Sequence, residues 1–496
     1  MREDASFLGR ARPLVLARMG TAVLTTCIPL VLARAMALRE YGTYKQLFLI
    51  SQTISYVLPF GMSQALYYFI PRSEVKRPYF VHAMAFLTAM GAFAVLALLA
   101  FEDRIGQAFS NPELRDYRWA QAVYLVGVMA SWPLEISLTT QGRTRQSAMV
   151  YLVSDTSRAV AMVAPVLLGF GLRGLMICAA GHAAVRCAAA WTLALRSGPG
   201  PLFDWRLMRA QLAYALPFGA AMLVAIPQQY AHQYAVSATV SPEAFAIYAV
   251  GCLQLPIVDL LYTPTSEVLM VRLGELDKAG RGAEGLGVFR EATSKLALAF
   301  FPLAAFLFAA APELIGALFG PRFAEAAPLF RVSVVGVVLA IMPMDGVLRA
   351  RGRTRYLFGA YLAKAILTVP LVWLGVKRFG MLGGIGSWAV AEAFGKAVLL
   401  ARMPDALSAS FVKCVPWRQL GKASAAAAVA AAGVVAVRAL ARPAYQVLPS
   451  GLLWRTLPLV AAGLLFGISY LVALRLVGVK PLSVLASLRG GAPARA

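Results

Sequence analysis

"MPMDGVLRARGRTRYLFGAY" occupies Met342–Tyr361, and "WPLEISLTTQGRTRQSAMVY" occupies Trp132–Tyr151. The two align without a gap at an offset of 210 residues. Pro133 meets Pro343, Glu135 meets Asp345, Gly142–Arg145 meets Gly352–Arg355, and Tyr151 meets Tyr361. The likeness continues on both sides. "REYGTYKQLFLISQTISYVLP" (Arg39–Pro59) resembles "PEAFAIYAVGCLQLPIVDLLYTP" (Pro242–Pro264), and "FGLRGL" (Phe170–Leu175) resembles "FGMLGGI" (Phe379–Ile385). The offsets drift from 203 to 210, as loop insertions would cause. A long first segment of the chain is therefore written again in the second.

What repeats is apolar. The 496 residues are 60% hydrophobic and 14% charged, with a mean hydropathy of +0.69. A soluble chain carries about 25% charged residues. The apolar residues gather in runs of roughly 18 to 28, each long enough to cross a bilayer. Spans are expected near 14–38, 43–70, 79–101, 117–138, 147–170, 174–195, 212–238, 245–271, 291–311, 327–348, 356–376, 380–401, 423–440 and 456–474. The fold class is thus an all-α polytopic membrane protein of about 14 transmembrane helices. Spans 1–6 (residues 1–210) form one lobe and spans 7–12 (residues 211–410) a second; residues 411–496 hold two further helices and a tail. Six spans per repeat is an even number, so both copies enter the membrane from one side. This is a parallel repeat, with a substrate cavity expected between its halves.

Charge orients the spans. With both termini inside, the inner segments carry 27 Lys and Arg and the outer segments 11. Positive residues favour the cytoplasmic side. The net charge of +24 is this rule summed over many loops. It does not mark a nucleic-acid binder, because no basic region with interleaved aromatics lies outside the apolar runs. Cys27, Cys178, Cys187, Cys252 and Cys414 show no metal or redox spacing, and His82, His182 and His232 lie in different spans, so no metal site is expected. No phosphate-binding GxxxxGK[ST] loop occurs. Every loop is short, so no soluble catalytic domain and no enzyme activity are expected. The first apolar run is too long for a signal-peptide core and should persist as a helix.

Charges inside the spans are the functional candidates, since each ionised group near the bilayer centre costs on the order of 3 kcal/mol. Arg34, Lys45, Lys295 and Arg331 lie near span ends and can snorkel. Asp155 with Arg158, and Glu392 with Lys396, can neutralise themselves on one helix face at three- and four-residue spacing. Arg186, Asp259 and Lys364 have no same-helix partner at mid-depth; each is either a cavity residue or half of an interhelical ion pair. Arg18 sits about one turn inside span 1, to snorkel or to line an inward-facing vestibule. The matched Glu135 and Asp345 suggest a role in the fold, anchoring inner loops. Pro217 and Pro227, and Pro256 and Pro264 around Asp259, are expected to bend spans 7 and 8.

Glu40 and Tyr44 before span 2, Glu243 and Tyr248 before span 8, the paired GRTR loops and the span count together resemble the O-antigen-type polysaccharide flippases. These belong to the multidrug/oligosaccharidyl-lipid/polysaccharide exporter superfamily. The resemblance covers nearly the whole chain. It implies two lobes around a central cavity with alternating access, lined from spans 1, 2, 7 and 8. Arg18, Lys45 and Asp259 lie on those spans. It implies a lipid-linked oligosaccharide on undecaprenyl pyrophosphate as substrate, flipped to the outer leaflet of a bacterial inner membrane for polymerisation outside. The cavity candidates are therefore Arg18, Lys45, Arg158, Arg186, Asp259 and Lys364, the basic ones suited to an anionic pyrophosphate. The partners implied are membrane lipids and a polysaccharide polymerase; one chain holding both halves favours a monomer, and no cofactor is called for. Competing readings are a peptidoglycan or teichoic precursor flippase, a cation-coupled multidrug antiporter, and a membrane glycosyltransferase or polymerase. The antiporter would want free carboxylates in the N-lobe, and the polymerase a large outer loop.

Overall fold

The computed structural model describes residues 20–253, 255–446 and 452–478. Among them every regular element is helical: α1 (Gly20–Ala35), α2 (Leu38–Val57), α3 (Met62–Phe69), α4 (Arg77–Ala100), α5 (Glu102–Ala108), α6 (Arg118–Ser131), α7 (Pro133–Thr140), α8 (Thr144–Leu167), α9 (Gly171–Leu195), α10 (Trp205–Ser237) and α11 (Pro242–Gly251). The chain continues through α12 (Pro256–Lys278), α13 (Gly285–Ala309), α14 (Ala311–Phe319), α15 (Ala326–Ser333), α16 (Val335–Leu339), α17 (Met344–Ala350), α18 (Thr354–Ala401), α19 (Met403–Leu407), α20 (Phe411–Cys414), α21 (Trp417–Gln446) and α22 (Leu452–Leu476). Nine described helices are long and apolar enough to cross a membrane, or eleven if each of two bent pairs counts as one span. The protein is thus a multi-pass membrane protein. Fourteen is not reached on that criterion. One reason is that α18 counts once although Gly380, at φ 57°, breaks it between the eleventh and twelfth expected spans. Another is that α1 is short, and part of the first expected span lies outside the described residues.

The chain divides into two compact units, Met1–Ala249 and Val250–Ala496. In the first, α9 packs on α6, α8 and α4, and α3 packs on α7 and α10. Small residues make the α6–α9 contact close. Ala179, Ala180 and Ala183 are buried on α9, and a Cβ on Gly127 would stand 2.7 Å from the Ala183 backbone. Small residues at such seams let helices approach in lipid, where dispersion and not water exclusion drives association. In the second unit α12 packs on α13 and α17, and α15 and α16 pack on α18. The C-terminal pair belongs to this unit: α21 covers α13 and α22, with Phe306 against Phe466 at 5.5 Å and Tyr470 donating to Leu298 O.

The repeated sequence builds repeated local structure. In each unit a new helix starts at the matched proline of the fourth repeat span: α7 follows α6 at Pro133 through a helical Trp132, and α17 follows α16 at Pro343, whose own backbone is non-helical. The GRTR stretch then stops one helix and starts the next. Gly142 and Gly352 take φ of 77° and 66°, a left-handed turn that costs glycine nothing. The following amides donate to the same positions one turn back, Arg143 N to Leu138 O and Arg353 N to Leu348 O. The helix resumes at Thr144 and Thr354. Proline acts where expected in α10, which bends by 40° next to Pro217. Span 8 is broken as well, with Pro256 beginning α12 directly after the break, while Pro264 lies inside α12 without ending it.

Side-chain contacts between loops respect the expected sides. In the first unit Arg39 bonds Glu113 at 2.7 Å and Glu243 at 3.1 Å, joining three segments expected outside. Those two carboxylates raise the Arg39 guanidinium above its ordinary pKa. Arg77 reaches Gly200 O, joining two segments expected inside. In the second unit Arg351 binds Asp277 and Arg353 lies 3.9 Å from Asp405, all expected inside. Arg438 meets Glu313 at 2.6 Å, both expected outside.

In a cysteine-free background, exposed Gln146→Cys and Thr354→Cys should react with an impermeant maleimide from one side of the membrane, and Asp103→Cys only from the other. Labelling of the first two from opposite sides would break the parallel repeat. Gly127→Val should lower stability by about 1–3 kcal/mol, since the added methyls meet backbone that cannot yield. Thermal unfolding in detergent reads this directly.

Candidate functional site

The first unit contains a cavity of about 450 Å³ among α2, α3, α6, α7, α8, α9 and α10. Its wall combines Tyr56, Tyr124 and Trp132 with Gln64, Glu135, Asp155, Arg158, His182 and Arg186. Two ion pairs organise it. Glu135, only 3% exposed, sits in the first turn of α7, two residues after Pro133. Arg186 from α9 reaches both of its oxygens through Nη2, at 2.6 and 2.7 Å. The same guanidinium donates from Nε to Ser131 Oγ at 3.1 Å and from Nη1 to Ser154 Oγ. Three helices are thereby tied to one arginine. A buried cation bonded on all three nitrogens is well compensated for leaving water.

The second pair is looser. Arg158 and Asp155, one turn apart on α8, meet at 3.0 Å, and Arg158 Nη2 also donates to Thr25 Oγ1 of α1 at 2.9 Å. Arg158 is 33% exposed, and its Nε has no partner among the described residues. Its Nε is therefore left over, whereas every nitrogen of Arg186 makes a hydrogen bond. Ser157 and His182 Nε2 complete the polar wall at 3.0 Å. The lining of this cavity thus holds two arginines against two carboxylates.

The expected site residues are distributed unevenly. Arg158 and Arg186 meet in this cavity. Lys45 lies on α2 with Nζ 5.4 Å from the Tyr41 ring and 5.7 Å from that of Tyr44, off the cavity lining. Arg18 falls outside the described residues. Asp259 is exposed in the first turn of α12, and Lys364 lies on α18, both in the second unit. Lys364 binds Glu392 from beyond the Gly380 break. The same-helix pair expected between Glu392 and Lys396 does not form. The turn at Gly380 folds the two halves of α18 together and brings Lys364 to Glu392 first, leaving Lys396 over the Tyr262 ring at 5.4 Å. Asp345 accepts from Tyr262 and from Arg349 Nη2 at 3.0 Å.

Glu135, for which a role in the fold is expected, stands in the cavity wall as the carboxylate that ties α7 to α9. Its duplication at Asp345 was the available signal. Tyr56, Tyr124, Trp132 and His182 had none, because single aromatics and a histidine in apolar runs look like packing.

Residues 31–328 match the family of polysaccharide biosynthesis proteins. No curated protein sequence matches the chain. Among solved structures, the fold is similar to that of the lipid II flippase MurJ in an inward closed conformation: TM-score 0.72, 12% identity, 93% of this chain and 98% of that one. It is also similar to an inward-facing multidrug resistance MATE family transporter of the MOP superfamily: TM-score 0.56, 14% identity, 77% of this chain and 92% of that one. A mutant of the Vibrio cholerae MATE transporter VcmN gives a TM-score of 0.53 at 14% identity over 82% of this chain and 97% of that one. At such identities the likeness establishes the fold. The sequence match spans more than half of the chain, and so this multi-pass protein, with the fold of MOP-superfamily transporters, belongs to the polysaccharide biosynthesis protein family.

Proposed function

We propose that the protein is a flippase for undecaprenyl-pyrophosphate-linked oligosaccharides. It carries each unit from the cytoplasmic to the outer leaflet of a bacterial inner membrane, where a polymerase assembles O-antigen, capsule or exopolysaccharide. The observation that carries this reading, beside the family match, is Arg158: an incompletely bonded guanidinium on a cavity wall inside a membrane-spanning unit. A bare arginine there would be costly, and Asp155 lowers that cost while the cavity is empty. An arriving pyrophosphate offers a stronger, multidentate partner to the same fork of donors. The guanidinium exchanges one anion for another, and the pair closes again on release. No bond in the substrate is broken. Arg186, fully engaged with Glu135, holds the wall in place. The cavity volume lies within the roughly 300–1,000 Å³ of small-molecule sites. The excess of Lys and Arg in the segments expected inside supports cytoplasmic termini, and the two repeats within one chain support a monomer as the working unit.

A cation-coupled multidrug antiporter is less well served. It would need a carboxylate free to exchange a proton or sodium, and both cavity carboxylates are held by arginine. Flippases for peptidoglycan or teichoic precursors share the headgroup chemistry and are separated by complementation.

Arg158→Ala should reduce polysaccharide export about tenfold or more with normal membrane levels, and Arg158→Lys should recover part of it. Export at wild-type rates from Arg158→Ala would remove the basis of the proposal. Arg186→Ala strands the buried Glu135, so it should destabilise the protein by roughly 3–5 kcal/mol. Glu135→Gln/Arg186→Gln should regain most of that loss. Chemical denaturation and membrane abundance give the comparison. Expression in a drug-sensitive host should leave resistance unchanged; a gain would favour the antiporter.

A further inference from the structure

From the cavity a row of side chains descends α3 toward the loop that follows it. Gln64 lines the cavity, Tyr68 lies one turn further along α3 on the same face, and Arg72 ends the 3-10 turn that follows α3. On α10, Met222 lines the same cavity, and Tyr214 lies eight residues before it. The two helices bring their tyrosines together. The Tyr68 and Tyr214 rings stack with centroids 4.7 Å apart and planes 23° apart. Arg72 lays its guanidinium on the Tyr68 ring at 4.2 Å and donates from Nη1 to Tyr68 O at 2.9 Å. The result is a layered stack of Tyr214, Tyr68 and Arg72, one helical turn along α3 from the cavity residue Gln64.

This stack is not packed away. Tyr68 is 40% exposed, Tyr214 is 47% exposed, and Arg72 and Gln64 are exposed as well. Two aromatic rings and a guanidinium held face to face are pre-ordered, so little side-chain entropy remains to be lost on binding. Their chemistry is that of a saccharide platform. A pyranose presents an apolar face of C–H groups, which packs on an aromatic ring, and a rim of hydroxyls, which bond tyrosine hydroxyls, amides and guanidinium N–H groups. Arg72 keeps donors for an anionic group carried beside the sugar.

We propose that the Tyr68–Tyr214–Arg72 stack is a loading platform for the saccharide headgroup of the lipid-linked substrate, holding a sugar ring before it passes Gln64 into the cavity. This rests on the flippase reading. An interfacial aromatic belt offers an alternative role for such rings, but a belt has no sugar selectivity, and the platform does.

The test uses the full-length protein in nanodiscs and native mass spectrometry with two probes. One is undecaprenyl pyrophosphate bearing N-acetylglucosamine; the other is bare undecaprenyl pyrophosphate. The wild type should prefer the sugar-bearing lipid. Tyr68→Ala and Tyr214→Ala should each weaken that lipid about fivefold to tenfold and leave the bare lipid unchanged. Tyr68→Phe keeps the ring and should keep most of the preference. Arg72→Gln should weaken both lipids. If the wild type binds and prefers the glycolipid while both alanine variants bind it equally well, the platform is wrong and the flippase reading stands. If the wild type binds neither lipid, the flippase reading falls and takes the platform with it.

Discussion

A carboxylate placed in hydrocarbon has to be met by a cation or by strong donors, and the first unit is arranged around one such meeting. Glu135 lies buried in the first turn of α7, two residues after Pro133. Arg186 can answer it only if α9 lies close to α6 and α7. Gly127 and the alanines of α9 make that approach possible, since anything bulkier at the seam would hold the helices apart. The same guanidinium then reaches Ser131 and Ser154, so the ion pair also sets the spacing of α6 and α8. The cavity is the space these helices leave. Its walls are held by charge and its volume by small residues.

The second unit meets the same demand differently. Asp345 occupies the position of Glu135 in the repeat, after the matched proline. Its donors are a tyrosine and an arginine one turn along its own helix. Lys364 pairs with Glu392, where the first unit has Ser154 bonded to Arg186. The repeat thus preserves where a helix stops, turns and resumes, while the polar partners differ. Such divergence is natural in a duplicated transporter: the backbone plan keeps both halves foldable, and the side chains inside it are free to specialise.

The fold likenesses are consistent with that division. A scaffold of this kind is shared with proteins described as a lipid II flippase and as multidrug transporters. Fold alone does not choose among cargoes; the chemistry of the site does. Here the site offers an arginine whose partner is one turn away and incompletely satisfying, beside an arginine that is fully engaged. The first is the one on which the proposed capture of an anion rests. The second suits structure.

Much of the architecture was legible because the physics behind it is local. Apolar runs long enough to cross a bilayer, a glycine that turns the chain after each short helix, and a proline at the start of a new helix in each fourth span all act within a few residues. Asp155 and Arg158 were likewise readable as a pair, being one turn apart on a single helix. The site was less legible because its partners are distant in sequence. Arg186 is 51 residues from Glu135, and Lys364 is 28 from Glu392. The expected pair of Glu392 with Lys396 failed for the same reason: a four-residue spacing permits a contact, but the turn at Gly380 brought a competing cation from the other half of α18. The sequence by itself determined that this chain is a duplicated bundle of membrane helices. Only the tertiary structure decided which charges meet, because in a low-dielectric interior each ionised group takes whichever partner helix packing brings within reach.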